Sequence, residues 1–240
     1  MPHDLLPSGR ADEPIEGWRI WNLADELSAP RLLPAGSGGD VWEPMRAVQA
    51  VCTVPSIVRL GSRRHRAPGP ACSCGIHAGM SLAGFPRPRP AWPPPTIVGT
   101  VSLWGTVVEH EQGWRAEHAY PSRLAVVCAM CAWFEPGSGV AMAIHVFGGC
   151  AYALCSEHRG GIQLQDGRRT HPTDADPVRV QAALLNAYAV DPLPLSAADV
   201  LFAQPPTPEP DSYVPSIRVV PVEEEGRRAP SLGVRRRRER

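Results

Sequence analysis

Hydrophobic and polar positions alternate most clearly between residues 96 and 127, where TIVGTVSLWGTVVEH, EQG, WRAEHAYP and RLAVV follow one another. Runs rich in Val, Thr, Trp and Tyr around a short Gly-containing break predict an antiparallel hairpin. With Glu111, Gln112 and Gly113 as a three-residue loop, His110 faces Trp114 and Glu109 faces Arg115. Trp104, Val108, Ala116 and Tyr120 then point toward a core, and the Glu109–Arg115 pair lies with Glu117 on the other face. Upstream, IEGWRIWNLADEL from Ile15 suits a short strand carrying aromatics, and VWEPMRAVQAVC suits a short helix leading to Cys52. Downstream, DPVRVQAALLNAYAV predicts a helix opened by an Asp-Pro signal, with Val178, Ala182, Leu185 and Tyr188 near one face. SAADVLFAQ predicts a shorter one.

Three stretches lack such periodicity. Residues 1–14 read as a disordered terminus, residues 61–95 are dense in Gly, Pro and Arg, and from Pro205 the chain is Pro-rich and then charged, ending RRRRER. The expected organisation is a β-rich unit over 15–127, a second unit with helices over 128–204, and a disordered tail over 205–240. The fold class is α+β, with small antiparallel sheets and short helices. A core of this size needs reinforcement where residues 61–95 supply no periodicity, and metal ligands would provide it.

Composition narrows the chemistry. The 240 residues carry 24 basic and 24 acidic side chains, so no global field favours nucleic acid or an anionic membrane. All the basic residues are Arg, which leaves no side-chain amine for Schiff-base chemistry or a Walker-type phosphate contact. MPHDLLPSGRADEP has no basic segment followed by an apolar one, and no later stretch offers some 18 uninterrupted apolar residues. A cytoplasmic location without a membrane contact is therefore expected. There the seven Cys stay reduced and point to metal binding before disulfides.

Cys128 and Cys131 form C-x2-C, and Cys155 with His158 forms C-x2-H 24 residues on. Two such pairs fit a tetrahedral Cys3His zinc site, each needing only a tight turn or a first helical turn to aim both donors at one point. Cys72 and Cys74 form C-x-C with Cys52 twenty residues upstream, and His65 and His77 compete for a fourth place. Two structural zinc ions are expected. Cys150 has no partner at motif spacing and reads as core, though it could replace a ligand of the later set.

The order Cys52, His65-Arg66-Ala67-Pro68, CSCGIHA at 72–78 and GTVSLWGTVVEHEQGWRAEHAYP at 99–121 resembles a group of uncharacterised actinobacterial proteins. That group carries H-x-A-P before C-x-C-G-I-Y-A, then an LWG-x-V-VEH hairpin, and the resemblance spans roughly residues 15–160. It implies His65 as the fourth ligand, because His77 stands where the group has Tyr. It implies arrangement and no activity.

The best-supported function is a zinc-stabilised binding or adaptor protein with a protein partner and no catalysis. The alternative is a nucleic-acid-binding regulator using Arg59, Arg63, Arg64 and Arg66, beside the first metal set. A metal-dependent hydrolase using Glu109 or Glu117 comes third, because catalytic zinc keeps an open position and both sets have four protein donors. Cys72 or Cys74 beside a His could act as a nucleophile, but three clustered Cys are better explained by metal. The chain has no G-x-S-x-G, P-loop or dinucleotide motif.

Overall fold

The computed structural model describes residues 9–35, 40–52, 65–70, 72–82, 94–133, 138–163, 167–195 and 218–219, with backbone alone at 9–12 and 218–219. Along the chain run β1 (Gly9–Ala24), β2 (Leu32–Pro34), β3 (Val48–Gln49), β4 (Ile76–Gly79), β5 (Ile97–His110) and β6 (Gly113–Val126). Then come α1 (Ala129–Trp133), β7 (Ala143–Phe147), β8 (Cys150–Leu154), β9 (Ile162–Gln163), β10 (His171–Pro172), α2 (Pro177–Tyr188), β11 (Asp191–Pro192) and β12 (Arg218–Val219). Antiparallel sheet dominates, with two short helices, and the sheet is larger than the small hairpins expected from the sequence.

Four strands close on themselves. β1 pairs with β5 from Gly9–Val107 to Trp21–Ile97 and with β4 at Trp18–Gly79, while β6 pairs with both β5 and β4. Closure leaves these strands no long free edge. The ring is tight inside: a Cβ on Gly17 would lie 2.8 Å from Ala78 Cβ and 3.1 Å from the Trp114 ring. Two irregularities bend the β5–β6 pair. Pro121 sits at the first, opposite Val101, where a missing N–H is tolerated, and Gly105 at the second with φ +78°.

The hairpin register departs from the expected one by a residue. His110 pairs with Gly113, Glu109 with Trp114 and Val108 with Arg115, so the loop is Glu111–Gln112 alone. Gly113 also pairs with Gly79 of β4, and any Cβ there would lie 2.0 Å from the Ala78 carbonyl oxygen. Gly113 is thus required in the ladder by close backbone approach, not by the turn. Glu109 and Arg115 no longer face each other.

The start of β1 also differs. Gly9, Arg10 and Ala11 pair with Val107, Thr106 and Gly105, so residues 9–14 extend a strand where disorder was expected. The expected helix VWEPMRAVQAVC is instead a bridge at Trp42, a turn with Met45 at φ 58°, and β3 paired with Ala119 and His118. Pro44 and the left-handed Met45 are incompatible with a continuous helix. Trp42 packs edge-on against Trp21, with ring centroids 5.4 Å apart.

The second half joins the same body. β7 and β8 form a hairpin over Gly148–Gly149, both at positive φ, as a two-residue turn requires. β8 continues onto the end of β1, and β11 lies parallel to β6. Asp176 caps α2 by accepting from the Val178 N–H at 3.0 Å, and Pro177 opens its first turn as the Asp-Pro signal implied. The buried face is Pro177, Val180, Leu184 and Tyr188; Val178, expected inside, is 73% exposed. Val180, Leu184, Tyr188, Ile144 and Ala153 share one core with Trp21, Leu103 and Ala116. Residues from both sides of the expected 127/128 boundary thus meet in this core, while a second cluster is drawn from residues 128–162 alone. The tyrosine hydroxyl of Tyr188 accepts from Leu32 N–H at 3.0 Å and donates to the Trp42 carbonyl. Residues 1–8, the SAADVLFAQ segment and most of 205–240 lie outside the described residues; within the last, Arg218–Val219 pairs with Ile162–Gln163.

Gly99 tests the ring. A Cβ there would sit 2.2 Å from the Arg123 carbonyl oxygen, which is backbone and cannot step aside. Gly99→Ala should lower unfolding stability by about 2 kcal/mol or more, read as a fall in the urea midpoint at unchanged slope.

Candidate metal centres

The later Cys/His set is built where β6 ends and where β8 ends. Cys128 immediately precedes α1, and its carbonyl accepts from Ala132 N–H at 3.0 Å, so the first helical turn brings Cys131 beside it. No Gly or Pro is needed after Cys131, because a helix and not a knuckle makes the turn. Cys155 and His158 are joined by a turn in which His158 N–H donates to the Cys155 carbonyl at 3.2 Å. His158 Nδ1 lies 3.4 Å from Cys128 Sγ, 3.4 Å from Cys131 Sγ and 3.1 Å from Cys155 Sγ, and the Cys131 and Cys155 sulfurs are 3.5 Å apart. All four side chains are 5% exposed or less.

The earlier set gathers Cys52, His65, Cys72 and Cys74 beside β6, whose Arg115 donates to the Cys72 and Cys74 carbonyls. His65 Nε2 is 3.4 Å from Cys52 Sγ and 3.9 Å from Cys74 Sγ, and the Cys52 and Cys72 sulfurs are 3.8 Å apart. Its ring is oriented from behind, Nδ1 lying 2.9 Å from the Arg66 carbonyl oxygen, a second contact common in metal-ligating histidines. His77 turns away, its Nε2 2.9 Å from the Ser73 carbonyl oxygen. Between the two histidines, the geometry selects His65. Cys72 is buried, whereas Cys52 and Cys74 are half-buried.

In each set the four donor atoms lie within 4.8 Å of one another. A metal with ~2.0–2.3 Å bonds to nitrogen and sulfur gives a tetrahedron with edges of roughly 3.5–3.8 Å, close to the separations here and far from a ~2.05 Å disulfide. The thiol energetics point the same way. A hydrogen bond from Cys131, with help from His158, pulls the Cys128 thiol down to about 4, while the same bond and burial push Cys131 far up, and burial raises Cys155. Backbone N–H donation from Cys74 brings Cys72 down to about 6, while burial raises Cys74. In each set one sulfur is thus favoured as thiolate over a neighbour whose thiol is pushed up. A bound dication would ionise all three. Both sets can hold a metal ion.

The earlier loop is fixed to the sheet by two residues whose role is not legible in the sequence. Arg115 is buried, and its Nη1 donates to the carbonyls of Gly69 at 3.4 Å, Cys74 at 3.1 Å and Cys72. Glu117, two residues along the same face of β6, is buried and pairs with Arg66, whose Nε is 2.7 Å from it. Burial opposes ionisation of Glu117, but the Thr106 N–H and the Arg66 guanidinium outweigh it and hold the carboxyl below its usual range. The expected Glu109–Arg115 pair is replaced by this clamp.

Of the other candidates, Cys150 packs at the edge of the later cluster's apolar surroundings and is no member of it. His118 lies 3.3 Å from Glu117 and stacks on Trp104. Arg59, Arg63 and Arg64 lie outside the described residues. Comparison with known proteins finds no matching family, no matching curated protein and no matching solved structure.

His65→Ala should remove metal from the earlier set and leave the later one filled, whereas His77→Tyr should keep both, as read by metal content and amide exchange over 65–82. Arg115→Leu leaves three carbonyls without their donor. It should loosen the 69–74 loop and weaken metal there at least ~10-fold, by the ordinary effect of losing an outer-shell partner, with the later set unaffected in competition against a chromogenic chelator.

Proposed function

We propose that the chain is an intracellular, zinc-stabilised binding or adaptor protein whose two metals are structural. The carrying observation is that each set brings three Cys donors and one His donor within 4.8 Å of one another; a tetrahedral metal held by all four would have no position left for substrate or an activated water. Three soft thiolates with an imidazole in a tetrahedron suit Zn²⁺ above the harder cations. The metals then hold what the sheet does not: one would tie Cys52, after β3, to His65 and to the two Cys before β4, and the other would tie the ends of β6 and β8 together. A protein partner fits this reading because the metals leave the surface free for contact.

The nucleic-acid alternative has less support. Arg66 is 76% exposed at its side chain, but its guanidinium is committed to Glu117. Hydrolysis is also less supported, since Glu117 is tied to Arg66 and Thr106 and not to an open coordination position. Among the described residues no helix is long and apolar enough to cross a membrane.

Purified without chelator, the chain should carry two zinc ions per molecule by elemental analysis, one for each set. One ion would leave the earlier set without its structural role, and none would refute the reading. Binding of the zinc-loaded chain to random-sequence DNA tighter than ~1 μM at physiological salt, beyond the usual non-specific range, would move support to the nucleic-acid alternative.

A further inference from the structure

The two sets have the same donors and opposite surroundings, which makes each a control for the other. Around the later set everything protects sulfur. Its ligands are buried, and the Cys155 thiol donates to the Glu157 carboxylate at 2.9 Å. The earlier set leaves Cys52 and Cys74 half-buried. Arg115 sets an uncompensated guanidinium against the carbonyls of both Cys72 and Cys74, and among the described residues it donates to no carboxylate. Partial exposure within a positive environment marks reactive cysteines, and burial marks inert ones.

We propose that the earlier site is a peroxide-sensitive zinc switch, in which Cys52 and Cys72 form a disulfide and release the metal, while the later site stays closed. This rests on the zinc reading above. Cys52 is one of the two half-buried sulfurs, and the buried Cys72 sulfur stands 3.8 Å from it, near enough to resolve the first product. The Cys52 thiolate attacks one oxygen of hydrogen peroxide; the S–O bond forms, the O–O bond breaks and hydroxide leaves, giving a sulfenic acid. The Cys72 thiolate then attacks that sulfur; the S–S bond forms, the S–O bond breaks and a second hydroxide leaves. Two electrons pass from the two thiolates to the peroxide, and solvent protonates both hydroxides. Zinc loses two of its four donors and leaves as the hydrated ion. With it goes the order of the loop from His65 to Cys74, so the face of β4 and β6 that carries this loop changes shape. A dithiol reductant with zinc restores it.

The test uses the full chain loaded with zinc and treated with a small excess of hydrogen peroxide at neutral pH. Released zinc is followed with a chromogenic chelator, and the cysteines are mapped by mass spectrometry after alkylation. One zinc of the two should leave about tenfold or more faster than the other, as expected when a partly exposed thiolate competes with buried ones. A Cys52–Cys72 disulfide should appear with it, and reductant plus zinc should reverse both. Simultaneous loss of both ions, earlier loss from the Cys128 set, retention of both, or release with sulfinic acids in place of a disulfide would overturn the switch while leaving two structural zinc ions standing. A chain that carries no zinc before peroxide is added would refute the metal reading itself, and the switch with it.

Discussion

The pairing of β5 with β6 sets where Arg115 and Glu117, the mounting of the earlier site, go. Side chains alternate across a strand, so a slip of one residue exchanges the two faces of β6. Gly113 holds the register, because its Cα faces the Ala78 carbonyl so closely that no side chain fits. From that position Trp114 and Ala116 turn into the ring, and Arg115 and Glu117 turn toward the Cys/His loop. A charged pair that would otherwise decorate a hairpin becomes the mounting for a metal site. The buried guanidinium is stable there because carbonyl oxygens of three residues receive it, an arrangement that holds only while the loop keeps its shape.

Metal and sheet are therefore interdependent at the earlier site and nearly independent at the later one. The loop over 65–74 has no strand of its own until β4 begins at Ile76, so its order comes from Arg115, from the Arg66–Glu117 pair and from four ligands. The later ligands instead stand at the ends of paired strands, with α1 and a turn already formed around them. Equal chemistry on unequal foundations explains how one chain can carry two sets of the same composition without duplicating a role.

Much of this was readable in the residues, and what was not has physical causes. Cys128, Cys131, Cys155 and His158 announced themselves because local turns bring i and i+3 together whatever the fold. Cys52 with His65 was harder, since no local motif joins them and only the fold brings them to one point. The β5 and β6 strands were plain from their Val, Thr and Trp content, yet their register was not, because the demand on Gly113 comes from β4, some 34 residues earlier. The helix at 177–188 was legible from its cap, but its buried face was set by Leu32 and Trp42, which receive Tyr188. β1 extends back to Gly9 for the same reason: the polar segment has no pattern of its own and follows β5, on Val107, Thr106 and Gly105.

The closed ring also imposes an order in time. Synthesis runs from the amino terminus, and β1 at first finds only the short β2 at its end; its long partner, β5, is made some 75 residues later. Cys52, His65, Cys72 and Cys74 emerge in that interval, before the arginine that will steady their loop. A metal captured then would be held by a chain still searching for its fold, and the ring would later close around a loop already tied. Long-range strand pairing is slow to nucleate, so an early, local cross-link would remove part of that search before the last strand arrives.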